Sequence, residues 1–198
     1  MKRIIVLSFL LFGLSFTACN RGSGFEGFFK IIRLSSMAYE VDLQSGSWMP
    51  IDSIATDIIE LNDLRIKVYP AETEYVRTEV FPLANAVYAD PAPPMLEHPL
   101  QRVIITSTDD FETTEASFDA GEDLTSLFLF NSSYGEQWFG IEQFLAGSDK
   151  IEMLYGKMDL RFDPDVELGQ ASRHQFTIIM QFEDDQEVST TTPILNLE

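Results

Sequence analysis

The sequence predicts a mainly β fold, an antiparallel β-sandwich of immunoglobulin-like or transthyretin-like character with one or two short helices. Three observations carry this expectation. Phe176, Ile178, Met180 and Phe182 alternate with Thr177, Ile179, Gln181 and Glu183, and the polar run Asp184-Asp185-Gln186 leads into the β-favouring stretch Val188 to Thr192, which together read as a hairpin. Leu64, Ile66 and Val68 alternate with Arg65, Lys67 and Tyr69, the period-two pattern of a strand buried on one face. Helical spacing is confined to one or two short stretches, so the chain lacks the helices that a layered α/β fold requires.

From the N-terminal side, residues 28–41 are mostly apolar or β-favouring, with Ile32 and Leu34 alternating against Arg33, and Tyr39 and Val41 against Glu40; the first residues suit helix as well as strand. Pro70 is expected to end the strand that begins at Leu64, because proline donates no ladder hydrogen bond. Residues 80–99 hold Pro82, Pro91, Pro93, Pro94 and Pro99 and read as a long loop. Val103 to Ser107 is β-branched and apolar, a buried strand. Asp123 is placed to cap a short helix starting at Leu124. Trp138, Ile141, Phe144 and Leu145 share one helical face, with Gly147 as the stop. Met158, Leu160 and Phe162 alternate as a further strand before Pro164. No solenoid or coiled-coil repeat is present.

Three segments organise the chain. Residues 1–18 have the layout of a signal peptide: basic Lys2 and Arg3, an apolar run from Ile4 to Phe16, then small or polar residues. That run is shorter than the roughly 20 apolar residues a membrane span needs. Residues 19–27 begin with the chain's single cysteine, Cys19, and continue as a Gly- and Ser-rich tether. Residues 28–198 are expected to form a single β-rich domain, large enough for a core without disulfides. The stretch Phe16-Thr17-Ala18-Cys19 resembles the lipobox of bacterial lipoproteins, with Phe16 where leucine is usual, and the resemblance implies lipid attachment at Cys19. The competing reading is a secreted chain with a free thiol, a liability in an oxidising compartment. Asn20 follows Cys19 in place of the aspartate that retains enteric lipoproteins at the inner membrane, so the expected location is the outer membrane, facing the periplasm or the cell surface.

Charge narrows the partners. The chain carries 13 Lys plus Arg against 32 Asp plus Glu. Without residues 1–18, which hold two basic and no acidic residues, the balance is 13 − 2 − 32 = −21. Such a surface repels phosphate backbones and anionic headgroups, so no nucleic-acid partner is expected, and membrane contact is expected through the lipid anchor alone. With 45% hydrophobic residues and 16 Phe, the chain is no disordered stalk.

Signatures of catalysis are absent: neither His98 nor His174 stands in a zinc-binding or catalytic spacing, and HExxH, CxxC and GxSxG do not occur. No catalytic residue, metal site or cofactor is therefore expected. His98, between Glu97 and Pro99, reads as a solvated loop residue, and His174 as a structural one. Asp163, Asp165 and Glu167 have the alternate spacing that opens a calcium loop, but Leu168 stands where its glycine belongs and His174 where its glutamate belongs. The acidic stretch from Asp109 to Asp123 reads as a solvated loop, with a cation site as the alternative. For ligand binding the candidates are aromatic. Tyr134 and Trp138 are four residues apart and could share one side of a helical turn, although Trp138 also belongs to the apolar stripe; Trp48, between Gly46 and Pro50, is the better exposed ring. Asp52-Ser53-Ile54 resembles a short O-glycosylation sequon of exported proteins in Bacteroidetes-type bacteria.

The sequence Val103 to Phe111, then Ala120-Gly121-Glu122-Asp123-Leu124 and the C-terminal hairpin, together with the lipobox and acidic body, resembles a family of small Bacteroidetes-type lipoproteins of unknown function. The resemblance implies no catalytic residue. The expected function is an envelope-anchored, non-enzymatic β-sandwich that binds a ligand, such as a glycan, or an envelope protein. A glycan-active hydrolase with paired carboxylates and a pilus-like structural subunit are the alternatives.

Overall fold

A computed structural model of the chain describes residues 28–42, 44–51, 58–76, 95–132, 137–146 and 158–198. The segments for the signal peptide and Cys19, the Asp52-Ser53-Ile54 sequon, Pro82 to Pro94, Tyr134 and Gly147 lie outside the described residues. The chain divides into two units, one of residues 29–74 and 96–198 and one of residues 1–28 and 75–95. The first holds nearly all of the architecture that follows.

The strands are β1 (Phe28–Asp42), β2 (Ser47–Pro50), β3 (Ile58–Ile59), β4 (Leu64–Val76), β5 (Met95–Leu96), β6 (Leu100–Ser107), β7 (Phe111–Glu112), β8 (Ser117–Phe118), β9 (Phe128–Ser132), β10 (Met158–Phe162), β11 (Ser172–His174), β12 (Phe176–Phe182), β13 (Glu187–Thr191) and β14 (Leu195–Leu197), with one helix, α1 (Ile141–Ala146). A six-stranded sheet runs β2-β1-β4-β10-β9, with β5 added beside β1, and a three-stranded sheet runs β13-β12-β6. A further sheet orders β11-β14-β3, in which β14 and β3 run parallel, and β7 pairs antiparallel with β8. The fold is thus mainly β, built from largely antiparallel sheets in a sandwich-like arrangement.

Period-two alternation explains the packing. On β12 every second residue from Phe176 to Phe182 is buried, and on β10 so are Met158, Leu160 and Phe162. The two sheets meet through phenylalanine: Phe128 of β9 and Phe162 of β10 have ring centres 4.1 Å apart, and Phe176 of β12 sits 5.8 and 5.7 Å from them, edge-on. Phe111 stacks on Phe162 at 5.5 Å, nearly parallel. Burying each such ring contributes about 1.5–3 kcal/mol, and edge-to-face pairs add about 0.5–1.5 kcal/mol.

The expected hairpin is β12 and β13, in register from Thr177 opposite Thr191 to Gln181 opposite Glu187. Its turn uses Asp185 at φ 61°, a left-handed conformation that aspartate tolerates better than most residues, while the Asp184 side chain accepts from the Gln186 amide. The predicted strand at Val103 to Ser107 is the centre of β6. One edge of β6 pairs with β12, and the other is closed locally: Leu124 donates its amide to the Ile105 carbonyl, and the Thr125 hydroxyl accepts from the Ile105 amide. That closure protects an edge that would otherwise be free to pair with another chain.

Several expectations need correction. Within β1 the buried residues are Ile31, Leu34, Ala38 and Val41, whereas Ile32 is 42% exposed, so the inward face is not the simple alternation read from Ile32 and Leu34. Pro70 does not end its strand; β4 continues to Val76. The described β10 register reaches only Val68, so the missing proline donor costs no bond on that side. Asp123 does accept from the Thr125 amide, but the element it starts is a single 3-10 turn, Thr125–Leu127. Trp138 lies ahead of α1, outside any helix or strand and next to the bridge between Phe139 and Phe130, so it does not share the helical face of Ile141, Phe144 and Leu145.

Candidate functional site

The outer face of the six-stranded sheet collects aromatic rings and cations. It follows from the pleat: with Leu64, Ile66 and Val68 turned into the core, Arg65 and Lys67 face away from it, and with Leu160 and Phe162 inward, Asp159 and Arg161 face out beside them. Lys67 stands opposite Asp159, and Asp159 opposite Asn131 of β9.

Trp48 forms one end of this row. It is paired with Val41 across the β1–β2 hairpin, whose turn is held by the Asp42 carboxylate accepting from the Gln44 and Ser45 amides, with Gly46 at φ 69°. The Ser45 hydroxyl, with those amides, holds the Asp42 carboxyl below its usual range. The Lys67 ammonium lies 4.0 Å from the centre of the Trp48 ring and 5.2 Å from that of Tyr39. Tyr39 meets Trp48 edge-on at 5.8 Å and directs its hydroxyl to the Met37 sulfur. Trp48 nevertheless remains 41% exposed.

Trp138 forms the other end. The Arg161 guanidinium carbon is 4.4 Å from its ring centre, and that of Arg65 is 5.6 Å away. Arg65 is buried, and one of its terminal nitrogens donates to the Asn62 and Leu64 carbonyls. Burial and the neighbouring charge of Arg161 lower the Arg65 pKa, opposed by Asp63 and Asp159; burial lowers that of Arg161, opposed by Asp163. Both remain charged at neutral pH, since an arginine does not deprotonate there.

Of the aromatic candidates, the structure therefore places Trp48 at an exposed position and Trp138 half-buried under two arginines, while Tyr134 lies outside the described residues. The site cations Arg65, Lys67 and Arg161 and the ring of Tyr39 were not singled out by the sequence. Their signal was present in the outward positions of two alternating strands.

The histidines occupy other places. His174 is fully buried between Phe111 and Phe176, with Nδ1 2.9 Å from the Ser107 hydroxyl and Nε2 2.6 Å from that of Ser172. Burial lowers its pKa, so the neutral ring is the resident form. His98 faces Asp184 at 3.5 Å, and Lys30 bridges Glu97 and Asp184 at 3.3 and 3.4 Å. Burial pushes Asp184 up, but the Gln186 amide, Lys30 and His98 outweigh it and hold the carboxyl below its usual range.

The acidic segments are spent on turns. Asp110 accepts from the Ala120 amide, Glu122 from that of Asp119, and Asp163 from that of Asp165, while Asp123 pairs with Arg102 at 3.1 Å. Among the described residues, no group of three or more His, Cys, Asp and Glu is placed to hold a metal ion. No helix among them is long and apolar enough to cross a membrane.

No family model matches the chain, and no curated protein matches it. Among solved structures, the C-terminal domain of the Streptococcus pyogenes antigen I/II-family protein AspA is similar over 82% of this chain and 46% of its own, at 11% identity and a TM-score of 0.23. So slight a likeness carries no functional argument.

Proposed function

We propose that this chain is an outer-membrane lipoprotein, tethered through Cys19, whose sandwich is a non-enzymatic module binding a glycan of the cell envelope on the outer face of its six-stranded sheet. The observation that carries the reading is Trp48, an exposed indole braced by Tyr39 and Lys67. A sugar presents C–H groups that pack on an aromatic face, and a fixed ring loses little entropy when it does so. Lys67 adds a hydrogen-bond donor for hydroxyl or acidic groups at the same spot. The lipid anchor would keep the chain at the membrane that displays the ligand.

The hydrolase reading is less well supported. A general acid needs a carboxyl held above its usual range, yet among the described residues the carboxyls with displaced acidity, Asp42, Asp123 and Asp184, are all displaced downward.

A screen of the full chain in detergent against envelope glycans tests the reading. Binding to at least one glycan is expected, weakened about tenfold or more by Trp48→Ala, which corresponds to about 1.4 kcal/mol. Binding indifferent to Trp48→Ala, or turnover of the glycan, would contradict it.

A further inference from the structure

We propose that Arg65, Arg161 and Trp138 form a seat for a planar carboxylate, supplied either by a free carboxylic acid or by a carboxylated sugar. The two guanidinium groups lie on neighbouring strands, β4 and β10, and both approach one indole, at 5.6 and 4.4 Å. Placing like charges together beside a half-buried ring is unfavourable unless something of opposite sign joins them.

Among the described residues, none supplies such a partner at close range. Among the described residues no carboxylate lies within 4.0 Å of either guanidinium, although Asp63, Asp159 and Asp163 act on them from farther off. Arg161 donates to no described acceptor, and its Nε is buried without a hydrogen-bond partner. Arg65 engages one terminal nitrogen with the Asn62 and Leu64 carbonyls, which fixes its plane and, among the described residues, leaves its other donors available to an incoming ligand. The indole stabilises a guanidinium only partly, by roughly 0.5–2 kcal/mol. A buried, unpartnered donor next to a second cation is the arrangement an incoming anion completes.

The class of anion follows from its surroundings. A guanidinium fork matches two coplanar oxygens, and a flat carboxylate can lie beside an indole. Asp63, Asp159, Asp163 and the strongly negative chain disfavour a doubly charged anion, so a carboxylate suits the seat better than sulfate or phosphate. This seat is separate from the Trp48 platform, and neither reading requires the other.

The test uses the full chain in detergent, titrated with sodium acetate, sodium glucuronate, sodium sulfate and glucose against sodium chloride at equal ionic strength, followed by tryptophan fluorescence and thermal midpoint. Acetate and glucuronate are expected to change the fluorescence and raise the midpoint, with sulfate weaker and glucose and chloride without effect. Tighter binding of glucuronate than of acetate assigns the source as a carboxylated sugar; equal binding assigns a free acid. Arg161→Gln should weaken carboxylate binding at least tenfold, and Arg161→Lys, which keeps the charge but loses the fork, should weaken it too. Trp48→Ala should leave acetate binding unchanged. A response matched by chloride, sulfate binding tighter than either carboxylate, or carboxylate binding untouched in Arg161→Gln or Arg161→Lys overturns the proposal.

Discussion

The Lys67 ammonium sits 4.0 Å from the centre of the Trp48 indole, which ties one of the chain's few cations to its most exposed aromatic ring among the described residues. β1, β2 and β4 each contribute to the arrangement, so the platform is rigid sheet. At a partly exposed site the pair is worth about 0.5–1 kcal/mol. A double-mutant cycle with Lys67→Met and Trp48→Leu should return a coupling energy in that range from urea unfolding, and a coupling of zero would mean the contact is incidental.

Phe176 carries the contact between sheets. It is fully buried and touches Phe111, Phe128 and Phe162. Phe176→Ala should cost about 3–5 kcal/mol, and Phe176→Leu clearly less, because leucine leaves a smaller cavity. Chemical denaturation measures both.

Thr125 closes the outer edge of β6. Its hydroxyl accepts from the Ile105 amide and donates to the Asp123 carboxylate. Thr125→Val keeps the shape but leaves a buried amide unpaired, which should cost about 1–3 kcal/mol, while Thr125→Ser should retain most of the stability. If valine is tolerated as well as serine, water reaches this edge.

His174 sets a pH dependence whose sign is fixed by its lowered pKa. Above the ordinary value of 6.5 the ring is neutral in both folded and unfolded chains, and its contribution is fully present. As pH falls below 6.5 the unfolded chain binds a proton that the folded chain does not, so stability drops until the lower folded pKa is passed. The drop has a limiting slope of about 1.4 kcal/mol per pH unit. Comparing the chain with its His174→Gln variant from about pH 7.5 to about pH 5.5 isolates this dependence, because carboxylates common to both cancel. A stability difference that stays constant across that range would contradict a buried neutral ring.

Cys19→Ser should abolish lipid attachment and move the chain from the membrane fraction to the soluble one, read by fractionation and by the mass of the N-terminal peptide. An unmodified Cys19 thiol in the wild-type chain would remove the anchor from the account.

Strands with one face in the core were legible because burial imposes period two: β4, β10 and β12 declare themselves by alternation, and the centre of β6 by its β-branched, apolar run. The shorter pairings were not. β3, β11 and β14 have two or three residues each, too few for a periodic signal, and they exist because long-range partners such as Ser172 and Leu197 come into register. Trp138 was misplaced for a related reason. Its offsets fit a helix, but the backbone of neighbouring Phe139 bonds to that of Phe130, and that tertiary contact overrides local spacing. Trp48 was legible as an exposed ring because turn residues flank it. Its partners Tyr39 and Lys67 were not, since only strand order puts β2, β1 and β4 side by side.

The most direct test of the ligand-binding face is where a bound envelope glycan perturbs the backbone and indole resonances of the full chain in detergent. The shifts are expected to centre on Trp48, Tyr39 and Lys67 and to spread along the outer face of β4. Shifts centred instead on the Lys30, Glu97, His98 and Asp184 cluster or on the acidic turns between Asp109 and Asp123 would contradict it.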